Sequence, residues 1–92
     1  MPDTRVVMIT AAQMRAARAL LGIDQKQLAE MSGVSLPTIQ RMEASEGNVR
    51  GVVDTLTKVI EAFERGGVTL IGDGAVSADG GRGVRFKEPR PR

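Results

Sequence analysis

A chain of 92 residues and 9.8 kDa holds one small core and at most a short appendage, since domains usually run to ~100–150 residues and rarely fall below ~50. With 41% hydrophobic and 26% charged residues it should fold, and with two Phe and no Trp or Tyr its core must be aliphatic, filled out by Met14, Met31 and Met42. The absence of His and Cys removes the imidazole base, the thiolate nucleophile, the usual zinc site and any disulfide framework, so neither an enzyme nor a bound metal or other cofactor is expected.

Charge is distributed unevenly. Residues 1–65 hold eight basic and eight acidic side chains, and residues 66–92 hold five and three, so the net +2 belongs to the last third. A nucleic-acid binder built on so neutral a body has to place a few cations well. Residues 1–9 read as an N-terminal arm. No apolar stretch approaches the ~20 residues of a membrane span, which points to a cytoplasmic protein with no membrane partner.

Thr10 is a candidate N-cap for a helix starting at Ala11, along which Ala12, Met14, Ala17, Leu20 and Leu21 form an apolar stripe, with Gln13, Arg15 and Arg18 off it. Gly22 ends that helix. Asp24 and Gln27 form a capping-box pattern at the head of a second, short helix with Leu28, Ala29 and Met31 on its buried side, stopped by Ser32-Gly33. Ser35 caps a third helix with Pro37 in its first turn and Ile39 and Met42 on one face. After a loop over 44–50, a fourth helix runs from Val52 or Val53 to Arg65. Its buried side carries Val53, Leu56, Val59, Ile60 and Phe63, and its wet side Lys58, Glu61 and Glu64. Beyond Gly66-Gly67 the pattern becomes β-prone: Val68–Ile71 and Val84–Lys87 read as a hairpin joined by a glycine-rich connection. Residues 88–92 read as a disordered tail. Asp73 and Asp79 in the connection lack the ligand order of a calcium loop.

The informative stretch is Gln25–Glu43, two short helices around a tight link. Helices this short cross at ~90–120° only where a small residue allows contact and a flexible one turns the chain. Ala29 and Gly33, fifth and ninth from Gln25, fill those roles, and Leu28, Val34, Ile39 and Met42 fall at the buried positions fourth, tenth, fifteenth and eighteenth.

On these six positions, QKQLAEMSGVSLPTIQRME resembles the helix-turn-helix of the Cro/C1 repressor family, the XRE-type regulators, and the likeness extends over residues 10–65. The resemblance implies a mainly α, lambda-repressor-like bundle of four or five helices, here followed by a hairpin over 66–87. It also implies that the helix Ser35–Glu43 enters the major groove of double-stranded DNA while the preceding one crosses the backbone. With Ile39 and Met42 inward, Leu36, Pro37, Thr38, Gln40 and Arg41 face outward. By family analogy the base-reading set is Leu36, Pro37, Gln40 and Arg41. Arg41 suits a bidentate contact with guanine, and Leu36 and Pro37 offer only apolar contact, as to thymine methyls. Gln25 matches a position that bonds phosphate and braces the reading side chain, and Lys26, Ser35, Thr38 and Arg50 are further phosphate candidates. Arg18 and Glu43 match a structural ion pair between the first helix and the end of the third. For Arg41 the competing reading is a solvated arginine paired with Glu30 or Glu46.

The expected function is a sequence-specific transcriptional regulator, a repressor acting as a homodimer on palindromic operators. The hairpin, with Val68, Leu70, Val84 and Phe86 burying one face against the fourth helix or a second copy, would serve as its dimerisation element. The residues Arg82, Arg85, Lys87, Arg90 and Arg92 alternatively form a basic arm that touches DNA. The alternative function is a protein-interaction module, an antitoxin or antiactivator that masks a protein partner.

Overall fold

The structure, a computed structural model, describes residues 9–49, 51, 53–71 and 82–87. The expected arm up to residue 8, Arg50, Val52, Asp73, Asp79, Arg90, Arg92 and the tail over 88–92 lie outside the described residues.

Among the described residues, four helices and a two-stranded antiparallel sheet follow in order: α1 (Ala11–Leu21), α2 (Gln25–Ser32), α3 (Leu36–Glu43), α4 (Val53–Arg65), β1 (Val68–Ile71) and β2 (Gly83–Phe86). Local chemistry sets the helix starts. Thr10 accepts from the Gln13 amide at 3.0 Å while the Gln13 side chain accepts from the Thr10 amide at 2.8 Å. Asp24 and Gln27 repeat that box at 2.7 and 2.9 Å, and each such cap is worth about 1 kcal/mol. Gly22 and Gly33 end α1 and α2 at φ 68° and 73°, the left-handed region where a Cβ is strained.

The core is aliphatic around one ring. Phe63, Met14, Leu28, Ile39, Val59 and Val68 are its largest fully buried side chains, with Met42, Leu56, Ala17 and Ala62 among them and Met31 at the margin. Burying an aliphatic side chain of this size contributes about 1.5–3 kcal/mol, so these few residues dominate the fold's stability. α1 is central: it packs on α3 and on both strands, while α4 packs on α2 and β1.

Three expectations about packing are corrected. In α1, Ala12 and Leu20 are exposed and Gln13 is buried: the inward face runs through Ala11, Met14 and Ala17, Ala12 falls on the opposite side at 3.6 residues per turn, and Leu20, three residues on from Ala17, stands at the edge of that face in the last turn. In α4, Val53 is 63% exposed; it continues the Leu56–Val59–Phe63 stripe but stands in the first turn, beyond the surface that α2 and β1 cover, and Ala62 is buried in the stripe instead. The second strand begins at Gly83, opposite Ile71, and stops at Phe86, although the Lys87 amide still donates to the Gly67 carbonyl at 2.9 Å.

The hairpin is folded onto the helices. Val68 opposes Phe86 and Leu70 opposes Val84, so these four share one face; Val68 is fully buried and the other three pack against the core. Gln13 fastens the far end: its Nε2 donates to the carbonyls of Ile71 at 2.8 Å and Gly83 at 3.0 Å, the last paired residues of the two strands.

Candidate nucleic-acid interface

The turn between α2 and α3 is held from inside. Gly33 donates to the Ala29 carbonyl at 2.9 Å, and the buried Ser32 hydroxyl accepts from the Val34 amide at 3.2 Å while donating to the Ala29 carbonyl at 3.4 Å. At the start of α3, Ser35 accepts from the Thr38 amide at 3.4 Å and donates to the Thr38 hydroxyl at 2.8 Å. Pro37 occupies the first turn, where its missing N–H removes no helical bond.

Ile39 and Met42 are sealed in the core, which fixes the rotation of α3 and turns Pro37, Gln40 and Arg41 out to solvent. Leu36 and Thr38 are half-buried beside them. Arg41 pairs with no carboxylate among the described residues, so neither Glu30 nor Glu46 holds it as an ordinary surface ion pair. Its cation stands exposed on the outer face with Gln40 next to it.

Glu43 anchors the end of the same helix. Its carboxylate is 3% exposed and receives Arg18 in bidentate fashion, Nε to one oxygen and Nη2 to the other, both at 2.8 Å. The Arg18 guanidinium is held above its ordinary pKa chiefly by that hydrogen bond, against the opposing effect of burial, with the Glu43 and Asp24 charges adding to the rise. Gln25 Nε2 donates to Glu43 Oε1 at 3.2 Å, and Arg15 Nη1 donates to the Glu43 main-chain oxygen at 2.8 Å. Three side chains, two from α1 and one from α2, therefore converge on one residue at the end of α3. Burying a carboxylate at this cost in desolvation is tolerable only with such complete partnering.

Of the phosphate candidates, Gln25 sits at the first position of α2 and is half-buried against Glu43, and Lys26 next to it is exposed. Ser35 is exposed and already engaged with Thr38. The basic residues of the hairpin are in part tied down: Lys87 lies 3.8 Å from Glu64, Arg82 donates to Asn48, and Arg85 is exposed.

Sequence reasoning missed Arg15 and Gln13. Arg15 lies one turn before Arg18, a spacing that puts both on one side of α1. Gln13 carried a signal in Thr10-Ala-Ala-Gln13, a capping-box pattern like the one at Asp24. Nothing local marked its bonds to carbonyls 58 and 70 residues away.

Among the described residues no helix is long and apolar enough to cross a membrane, and no group of three or more acidic side chains gathers in metal-ligand fashion. No curated protein matches the chain. The model of the Cro/C1-type helix-turn-helix family matches residues 14–65, which is more than half of the chain and includes α2, the Gly33 turn and α3 entire. The chain belongs to the Cro/C1-type helix-turn-helix family of DNA-binding regulators.

Proposed function

We propose that the protein is a cytoplasmic, sequence-specific transcriptional repressor that binds palindromic operators as a homodimer, α3 lying in the major groove of each half-site. The observation that carries this reading is the outer face of α3: an exposed arginine without a carboxylate partner among the described residues, next to an exposed glutamine, on a helix whose other side is locked by Ile39, Met42 and Glu43. In this reading Arg41 takes a guanine edge, Gln40 an adjacent base, and Leu36 and Pro37 contact thymine methyls. Gln25, Lys26, Ser35, Thr38 and Arg50 set the register on phosphates. Gln25 can serve both a phosphate and Glu43, since its amide has two donors and uses one on the carboxylate. The domain organisation proposed is a DNA-binding unit over 10–65 with the hairpin over 66–87 as the dimerisation element.

The test is selection of duplexes from the protein's own upstream DNA and from random sequence, followed by footprinting and titration over a range of salt. The reading expects protected half-sites about one helical turn, ~34 Å, apart and an affinity that falls steeply with salt. Tight capture of one co-purified protein together with a flat salt response would instead support the interaction-module reading. That alternative rests on the near-neutral helical body and the strand-forming C-terminal third.

A further inference from the structure

We infer that Arg15 is a positioning residue for DNA reading: with Arg18 it grips Glu43 at two chemically different points and so sets the rotation of α3 about its own axis. The inference rests on the proposal that α3 reads DNA. α3 has only eight residues and ends at Glu43; the Gln40, Arg41 and Met42 carbonyls accept from the Ala44 and Ser45 amides that follow, and among the described residues the Glu43 carbonyl receives no backbone amide. Arg18 holds the Glu43 carboxylate, which lies at the end of a side chain and can follow a change of rotamer. Arg15 holds the Glu43 main-chain oxygen at 2.8 Å, and that bond moves only if the helix itself moves. A guanidinium on the C-terminal carbonyls also opposes the negative end of the α3 dipole.

Glu43 is two residues beyond Arg41, so a helix fixed in pitch at Glu43 is fixed at the reading side chain as well. Arg15 is exposed, and its aliphatic stem is no part of the buried core. Its loss would leave the Glu43 carbonyl to water, with the Arg18–Glu43 pair intact. The expected signature is therefore a loss of discrimination out of proportion to any loss of stability.

The experiment uses the full chain and a duplex that the wild-type protein selects from random-sequence DNA, together with the same duplex changed one base pair at a time. Affinities for matched and mismatched duplexes are measured at two salt concentrations for wild type, Arg15→Ala and Arg15→Lys, with Lys58→Ala as an exposed-cation control on α4. Arg15→Ala is expected to weaken the matched duplex about tenfold and to leave the mismatched duplexes nearly unchanged, compressing the ratio at one or two base pairs. Arg15→Lys, which keeps a cationic donor, recovers most of that ratio and keeps the test decisive if the alanine variant folds poorly. Equal weakening on every duplex with a shallower salt slope would make Arg15 a phosphate contact and overturn the inference. An unchanged ratio with a lower melting temperature would reduce it to a structural contact and overturn it equally. A wild-type chain that selects no duplex would sink the underlying reading and this inference with it, whereas a wild-type ratio retained in full by Arg15→Ala and Arg15→Lys sinks the role of Arg15 alone.

Discussion

Two buried polar side chains, Glu43 and Gln13, each join segments far apart in the chain to α1, and they do so by opposite chemistry. Glu43 is charged and gathers Arg18, Arg15 and Gln25 at the end of α3. Gln13 is neutral and joins the Thr10 amide to the last carbonyls of both hairpin strands. The charged knot is directional and unforgiving, because a buried carboxylate must have its cation. The neutral knot bridges strands whose own pairing would be marginal in isolation. A reading helix needs a fixed pitch, and an accessory hairpin needs only to be kept in place; the two solutions match those two requirements.

The strongest way to break the contrast is to remove one member of the ionic knot. Arg18→Ala leaves the Glu43 carboxylate buried with a single neutral donor and should cost about 3 kcal/mol in denaturant unfolding, since breaking a buried pair on one side is more damaging than its net worth. Replacing both partners, Arg18→Met with Glu43→Leu, should return most of that stability while DNA discrimination stays poor. If the double variant proves as unstable as the single, the knot is not an ion pair in energetic terms.

The neutral knot should respond less. Gln13→Ala strands three polar groups in part and is expected to cost about 2 kcal/mol. Gln13→Glu, which turns an acceptor toward the Ile71 and Gly83 carbonyls, should cost more than alanine at neutral pH and recover as the carboxyl is protonated on acidification. Amide exchange at Ile71 and Gly83 should rise in both variants ahead of exchange in α3. Simultaneous loss of protection in α3 would mean the two knots are one cooperative unit.

The smallest effect is that of alkali. Arg18 is raised above its ordinary value in the folded chain, so the stabilisation it contributes is complete below the unfolded-state pKa and is lost only as pH climbs through the higher folded value. Stability traced to this pair should therefore be flat from neutral into moderate alkali. A decline set by Arg18 near neutrality would contradict the pairing.

Much of this was legible in the residues. The capping residues Thr10, Asp24 and Ser35, the turn glycines and the inward Ile39 and Met42 announce themselves through local chemistry and spacing, whereas the Arg18–Glu43 pair was legible only through the family resemblance. Hidden features depended on distant partners. Gln13 looks like a surface residue until a hairpin some sixty residues away supplies two carbonyls. Ala12 looks like core until Met14 and Ala17 define which side of α1 is covered, because an alanine-rich helix offers more than one apolar face. Val53 shows the same limit, as hydrophobic spacing gives the face of a helix but not how far along it the covering surface extends.

The central claim, that the outer face of α3 reads base pairs, is tested most directly by titrating wild type and Arg41→Ala on a selected duplex and its single-base-pair variants at fixed salt. The account predicts a loss of ~1–3 kcal/mol on the selected duplex, with discrimination relaxed at one base pair and stability within ~0.5 kcal/mol of wild type. Equal weakening on all duplexes, or none on any, would contradict it.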